Sequence, residues 1–419
     1  MEVYKFGGAS VKDALAVKNV VSILSKQQGQ RKVVVFSAMG KTTNMLEMVH
    51  AQRTSLDNWK PAFDEVVDFH HQVASDLGIQ SGEMFEDFLQ EVKMLEMWLK
   101  QPAPSNEHLD YDKIVASGEL MSTLLIAAYL EQEGFNCEWM DVRNVIKTNS
   151  EHRAADVDWL RSKRSAEVLL AHLEEDPTRM VITQGFISQS KLGNTTTLGR
   201  EGSDFSAAII AHLLEAKSVT IWKDVPGMLN ADPKWFSNTI EIPHISYSEV
   251  IELSYYGASV IHPKTIQPLQ QKGIPLYVKS FNNPEHRGTV IDETTDYDAL
   301  TPMYVFKPDQ VLLSVRSRDL SFVVEKHLSD IFEMAAATGL HVNVMQNSAV
   351  SFSMCVDQDE RRIKQLRELL KANYEVYYNE GLELLTMRHY DDSIIKKLTK
   401  DKEVLVEQRS RQTLRLVLR

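Results

Sequence analysis

The sequence predicts an α/β fold on a mostly parallel sheet, followed by a smaller α+β region. Three observations carry that prediction. The chain opens on an apolar strand, Val3-Tyr4-Lys5-Phe6, that runs into Gly7-Gly8 and a helix signal near Lys12-Asp13. A helix with apolar residues at Leu15, Val17, Val20, Val21 and Leu24 leads to a β-branched strand at 32–36, which completes a βαβ unit. Beyond a linker with Pro302 and Pro308 the order changes to strand, helix, strand, strand, helix, strand.

The remaining elements follow in order. Residues 44–54, 59–76, 83–100 and 114–131 carry apolar faces at helical spacing. Strand signals return at 136–140 and 180–183, and the polar stretch 188–197 reads as a hairpin. A helix at 206–214 and strands at 218–222 and 274–279 follow. In the C-terminal region, strands at 311–315, 340–345, 349–356 and 375–378 alternate with helices at 327–338 and 360–372. A shorter echo is read as strands at 382–387, 404–408 and 414–418 with a helix at 393–399.

At 419 residues the chain is long enough for two or three domains. A formal net charge of -12 argues against a general nucleic-acid or membrane-surface binder, while leaving room for a local anion pocket. No apolar stretch is read as long enough to span a bilayer. The two cysteines, Cys137 and Cys355, give neither metal spacing nor a disulfide framework, which suits a reducing cytoplasm.

Several stretches carry chemistry. The Gly7-Gly8 turn lets the backbone approach a ligand; Ser10 is placed to cap the next helix, and Lys5 adds a full positive charge beside the helix start. Gly40-Lys41-Thr42 is not a P-loop, because Val35 stands where that motif needs glycine; Thr43 caps a helix or meets a ligand. Glu119 is read in the first turn of an apolar helix, as a dipole partner or a ligand. Gly199 and Gly202 bracket Arg200, whose planar fork suits a carboxylate, and Ser203-Asp204 opens a helix where Asp204 can hold a lysine or a metal. The segment from Lys223 to Pro233 follows a strand and forms a β-turn or a nucleotide-site wall. His262 before Pro263 reads as structural, and His70 and His71, on a polar helical face, read as carrying no chemistry.

Together these stretches resemble the aspartate kinases of the amino-acid kinase superfamily. The resemblance rests on 5–11, 34–40 with Thr43-Asn44, 117–123, 183–186, 195–204, 223–227 with Asp232-Pro233, and Gly257-Ala258 with His262-Pro263. It implies a three-layer α/β sandwich with a mostly parallel sheet and a ferredoxin-like ACT region. It also implies transfer of the ATP γ-phosphoryl group to the side-chain carboxylate of L-aspartate, with Mg²⁺ arriving on ATP. By resemblance, Lys5 touches the transferring group beside Gly7 and Gly8, and Asp204 organises Lys5 or the metal. Thr43, Glu119, Arg200, Ser203 and Ser10 meet the substrate. Lys223, Asp224, Leu229, Asp232, Lys234 and Ser259 belong to the nucleotide side.

Some positions depart from the family pattern: Ala9 for threonine, Ser259 for lysine, Leu229 for tyrosine and Glu201 for glycine. The resemblance divides the chain into a catalytic domain at 1–300, an ACT-like domain at 301–380 and a second, truncated ACT-like unit at 381–419. It implies a cytoplasmic homo-oligomer, a dimer or tetramer, held through the ACT-like regions. Asn343, Gln346 and Asn347 mark the expected effector pocket; their neutral side chains favour threonine over lysine. Rival readings are a kinase for another acceptor and an inactive amino-acid sensor.

Overall fold

The computed structural model describes residues 1–26, 31–56, 58–176, 178–258, 260–318 and 322–419. They form two compact units: Met1–Met228, Glu241–Ile251 and Val260–Thr295 make the first, and Leu229–Ile240, Glu252–Ser259 and Asp296–Arg419 the second.

The first unit is organised by an eight-stranded sheet. Its strands are β1 (Glu2–Phe6), β2 (Lys32–Phe36), β3 (Cys137–Met140) and β4 (Met180–Gln184), then, past a hairpin of β5 (Ile187–Gln189) and β6 (Thr195–Thr197), β7 (Ser218–Lys223), β8 (His244–Ser246), β9 (Leu276–Ser280) and β10 (Thr289–Asp292). The spatial order is β8-β10-β9-β7-β1-β2-β4-β3. Every neighbouring pair is parallel except β9 with β10.

Among the described residues the α-helices between these strands are α1 (Ala14–Ser25), α2 (Thr42–Leu56), α3 (Lys60–Leu77), α4 (Glu83–Leu99), α5 (Glu107–Gln132), α6 (Trp159–Glu175), α7 (Gly202–Leu213), α8 (Tyr247–Tyr256) and α9 (Pro263–Lys272). β2 and β4 are buried at every position, which a strand reaches only when both sheet faces are covered. Tyr4, Phe6, Val34 and Phe36 share one apolar cluster with Val17, Val20 and Leu124 from the helices on one face. Strand alternation turns Val3 and Lys5 to the other face, where α7 packs on β1 and β7. The three-layer sandwich expected from the resemblance is present.

Several local readings are corrected. Asp13, not Ser10, caps α1 by accepting the Ala16 N–H at 2.8 Å; Ser10 is buried in a short 3-10 turn, Gly8–Val11, that delays the helix. α5 begins at Glu107, behind an Asn106 cap, so Glu119 stands in mid-helix rather than in a first turn. α5 is also long and apolar enough by composition to cross a membrane, contrary to the sequence reading, but 89% of that window is buried inside the protein. His70 is fully buried rather than on a polar face; its Nδ1 lies 2.7 Å from the Val66 carbonyl, and burial pushes its pKa down to about 4. Cys137 and Cys355 are free thiols, both pushed up to about 12 by burial.

The second unit holds a six-stranded antiparallel sheet of β11 (Met303–Ser317), β12 (Val342–Asn347), β13 (Ser351–Asp357), β14 (Tyr374–Arg388), β15 (Val404–Arg409) and β16 (Thr413–Leu418), in the order β12-β13-β11-β14-β16-β15. Its helices are α10 (Glu325–Thr338), α11 (Glu360–Leu370) and α12 (Asp392–Leu398). β11 and β14 are each 15 residues long and pair along their length. The sequence reading saw shorter strands because Lys307-Pro308-Asp309 breaks the apolar pattern. The ladder absorbs that break as an irregularity between Lys307 and Leu312, with Asp309 at φ 52°. Position 380, the expected domain boundary, falls inside β14.

Gly118 sets the spacing of α5 on α2. A Cβ there would lie 2.9 Å from Leu46 Cδ1 and 3.0 Å from Thr42 Cγ2. Alanine gains about 1 kcal/mol of helix propensity, but overpacking costs about 1–3 kcal/mol. Gly118→Ala is therefore expected to lower stability; urea unfolding with an unchanged or raised midpoint would refute this.

Candidate active site

The C-terminal ends of β1, β2 and β7 converge on a cavity of about 560 Å³, lined entirely by the first unit. Open parallel sheets bind ligands at such strand ends. The β1 and β2 turns close on each other: the Gly40 N–H donates to the Gly8 carbonyl at 3.0 Å, and a Cβ on Gly8 would lie 2.9 Å from the carbonyl oxygens of Ala38 and Gly40. Gly7 is constrained differently, since a Cβ there would crowd the Lys5 ammonium at 3.3 Å.

Asp204 is the electrostatic centre. It sits in the first turn of α7, and its carboxylate lies 2.6 Å from Lys5 Nζ and 3.2 Å from Lys223 Nζ. The register pairs Lys5 with Ile221, so Lys223, two residues on, projects from the same sheet face. Lys223 also donates to the Val260 carbonyl at 2.5 Å. Burial alone would push the Asp204 carboxyl up; Lys5 and Lys223 outweigh it and hold the group below the usual carboxylate range.

Glu119 behaves in the opposite way. Burial pushes its carboxyl up to about 8, against the Lys5 charge and a backbone hydrogen bond from Ala38. Its Oε2 is buried without a hydrogen-bond partner. Near neutral pH Asp204 is therefore firmly ionised while Glu119, in the same cavity, is mostly protonated.

The loops around the cavity are strained. Arg153, Phe186 and Glu201 have φ of 67°, 68° and 55°, and all three line it. Each such non-glycine residue costs about 1–3 kcal/mol and persists only where its surroundings fix it. Some of that fixing is visible. Asp112 on α5 accepts the Arg153 N–H at 3.1 Å, the Thr197 hydroxyl at 2.7 Å and an N–H from His152 Nδ1 at 2.7 Å. The Phe186 N–H donates to the Ser206 hydroxyl at 2.9 Å.

Of the sequence-predicted residues, Lys5, Gly8, Thr43, Glu119, Arg200, Ser203, Asp204 and Lys223 line this cavity. Gly7 supports Lys5 from behind, while Ser10 is buried away from the lining. Lys223, assigned to the nucleotide side, is drawn to Asp204. Asp224 is exposed after β7 and outside the lining. Leu229, Asp232 and Lys234 belong to the second unit, where Trp235 packs on Phe306 at 4.9 Å and Asp232 accepts the Lys234 N–H at 2.8 Å. Ser259 lies outside the described residues. His262 caps α9 by accepting the Lys264 N–H at 3.1 Å.

In the second unit, Asn343 is buried and committed. It donates to Gln310 at 2.9 Å and Asp357 at 2.8 Å and accepts from Lys307 at 3.0 Å. Gln346 and Asn347 are exposed on the same strand.

Sequence reasoning missed Glu47, Tyr111, Asp112 and Arg153, and marked Phe186 only as the end of the 183–186 stretch, with no role in the site. Tyr111 donates to Glu47 at 2.6 Å, and the Arg153 guanidinium lies 4.1 Å from the Tyr111 ring centroid. The available signal was two carboxylates, Asp110 and Asp112, just upstream of a long apolar run. Among the described residues, no group of three His, Cys, Asp or Glu side chains is placed to hold a metal ion.

Glu119 makes a stability prediction. Its folded pKa of about 8 lies above its ordinary 4.5, so the stabilising protonated form is fully present below about pH 4.5 and is lost as pH rises through about 8. Glu119→Gln, which cannot ionise, is expected to raise the Tm of the ligand-free protein by a few degrees at pH 8, with the gain vanishing near pH 4. A pH-independent difference would refute the assignment.

The amino acid kinase family model matches residues 1–280. The chain is 31% identical over 395 residues to the lysine-sensitive aspartokinase 3 of Escherichia coli K12, covering 92% of this chain and 86% of that protein. It is 30% identical over 394 residues to the bifunctional aspartokinase/homoserine dehydrogenase 2 of Arabidopsis thaliana, covering 90% of this chain but only 42% of that protein. Two crystal structures of E. coli aspartokinase III match the whole chain. One, with lysine and aspartate in the T-state, has a TM-score of 0.83 at 27% identity over 95% of its chain. The other, with aspartate and ADP in the R-state, has a TM-score of 0.82 at 28% identity over 96%. On the family match, the near-full-length bacterial relative and the shared fold, this chain belongs to the amino acid kinase family, among the aspartokinases.

Proposed function

We propose that the chain is an ATP-dependent aspartate kinase that phosphorylates the side-chain carboxylate of L-aspartate to 4-phospho-L-aspartate, opening lysine, threonine and methionine biosynthesis. The observation that carries this reading is Lys5 and Lys223 gathered on Asp204, with Arg200 and Glu119 lining the same cavity. A relative of the same fold, E. coli aspartokinase III, was solved with aspartate and ADP.

The chemistry needs no strong base. A side-chain carboxylate with a pKa near 3.9 is already an ionised nucleophile at neutral pH. The protein's work is to position two anions and neutralise charge as it spreads over the phosphoryl oxygens. Lys5 meets the transferring group, with the Gly7 and Gly8 backbone beside it, and Asp204 fixes where the ammonium points. Arg200 grips an acceptor carboxylate in two hydrogen bonds. Glu119 receives the acceptor ammonium and must give up its proton to do so. Thr43 and Ser203 complete the acceptor wall.

Magnesium would come with the nucleotide. Asp204 is already engaged by two lysines, so the donor set suits phosphate-borne metal better than a protein cage. Asp224, Leu229, Asp232, Lys234 and Ser259 remain proposed for the nucleotide side.

The catalytic domain is proposed as 1–300, with ACT-like regions at 301–380 and 381–419 that assemble a cytoplasmic dimer or tetramer. An amino-acid effector, threonine in preference to lysine, is proposed on β12. Gln346 and Asn347 are the exposed candidates there; Asn343 holds the strand from within.

The deciding assay is ADP release with ATP, Mg²⁺ and an acceptor panel, with hydroxylamine trapping any acyl phosphate. Release that requires L-aspartate and yields the hydroxamate is expected; release only with another acceptor would overturn the reading. Lys5→Ala should lower kcat by about 10²–10³-fold, and Arg200→Ala should raise the aspartate KM by about 10–100-fold. Because Glu119 must ionise to pair with an ammonium, the aspartate KM is expected to fall as pH rises toward about 8, by up to about tenfold per unit. A flat profile would remove Glu119 from that role.

A further inference from the structure

Glu201 carries three features without a structural reason. It holds a left-handed backbone, φ 55° and ψ 25°, that favours glycine. It occupies the N-cap position of α7, yet its side chain caps nothing. Its Oε2 is buried without a hydrogen-bond partner, and the residue lines the cavity. A strained backbone and an orphaned carboxylate at one position are costly unless a ligand uses them.

Its neighbour completes the picture. Arg200 lines the same cavity, and among the described residues it has no ion-pair partner. A cationic fork and a carboxylate therefore stand side by side on one loop. The backbone there is fixed by Gly199 at φ 81°, Glu201 and the first turn of α7. The head group of a free amino acid presents the complementary pair, a carboxylate and an ammonium on one carbon. Glu119, whose carboxyl burial pushes up to about 8, meets that ammonium only on giving up its proton, so a second carboxylate beside Arg200 has an anionic role to share.

We infer that Glu201 is a specificity-determining residue of the acceptor site: its carboxylate shares the acceptor's ammonium with Glu119 while Arg200 takes the adjoining carboxylate. The inference rests on the aspartate kinase reading and deepens it. It makes the free amino group a requirement of recognition, so that a dicarboxylate without that group loses half of its contacts on this loop.

The test compares L-aspartate with succinate, the same four-carbon dicarboxylate without the ammonium, by isothermal titration against wild type, Glu201→Gln and Glu201→Gly. Glutamine keeps the size and the backbone strain and removes the charge. Glycine relieves the strain, so that variant should fold with an equal or higher Tm. Both variants are expected to bind L-aspartate about tenfold more weakly or worse, with succinate affinity unchanged within about twofold. Equal losses for both ligands would make Glu201 a shaper of the loop and overturn the inference. Unchanged L-aspartate affinity in Glu201→Gln would overturn it as well. A wild type that binds no L-aspartate would overturn the parent reading instead.

Discussion

The site depends on one buried arrangement, a single carboxylate held between two lysine ammoniums. Two like charges brought together in a poorly solvated place repel strongly, and Asp204 is what allows Lys5 and Lys223 to coexist there. The consequence is geometric. β1, β7 and the start of α7 are pinned to one point, and the strand ends inherit their positions from it. One carboxylate against two lysines also leaves a surplus of positive charge, which suits a phosphoryl group that carries negative charge throughout its transfer.

Around that fixed point the other side chains are held by order rather than by charge. Asp112 ties the 152–153 turn to β6, and Ser206 ties α7 to the turn after β4. These bonds keep Arg153 and Phe186 in backbone conformations that a free chain would seldom adopt. Arg153, Phe186 and Glu201 place part of the chain's backbone strain at the cavity, where pre-organised groups lose least on meeting a ligand.

Much of this was legible in the sequence, and the failures have physical causes. Lys5, Arg200 and Asp204 could be read because glycine turns and a helix-opening Ser-Asp pair leave local signatures. Glu119 was found but misplaced in its helix, because the first two turns of α5 are polar and hide its true start at Asn106. Tyr111, Asp112 and Arg153 left no such signature; their meaning lies in contacts across distant parts of the chain. Pro308 hid the length of β11, since an irregular ladder can carry a proline that a regular one excludes. Leu229, Asp232 and Lys234 stand in a loop that clusters with the second unit, a placement that follows from long-range contacts and leaves no local sequence signature.

The paired fifteen-residue strands bear on how the C-terminal region is made. β11 is hydrogen-bonded on one side to β13 and on the other to β14. In sequence, α10, β12, β13 and α11 all intervene before β14. A nascent chain therefore exposes β11 with both edges unsatisfied until much later residues emerge, the kind of non-local closure that folds slowly and invites pairing with other chains. β14 covers the open edge of β11, and its own second edge waits for β16, later still in sequence. The region therefore matures late, and the growing chain needs protection from its neighbours until β16 arrives.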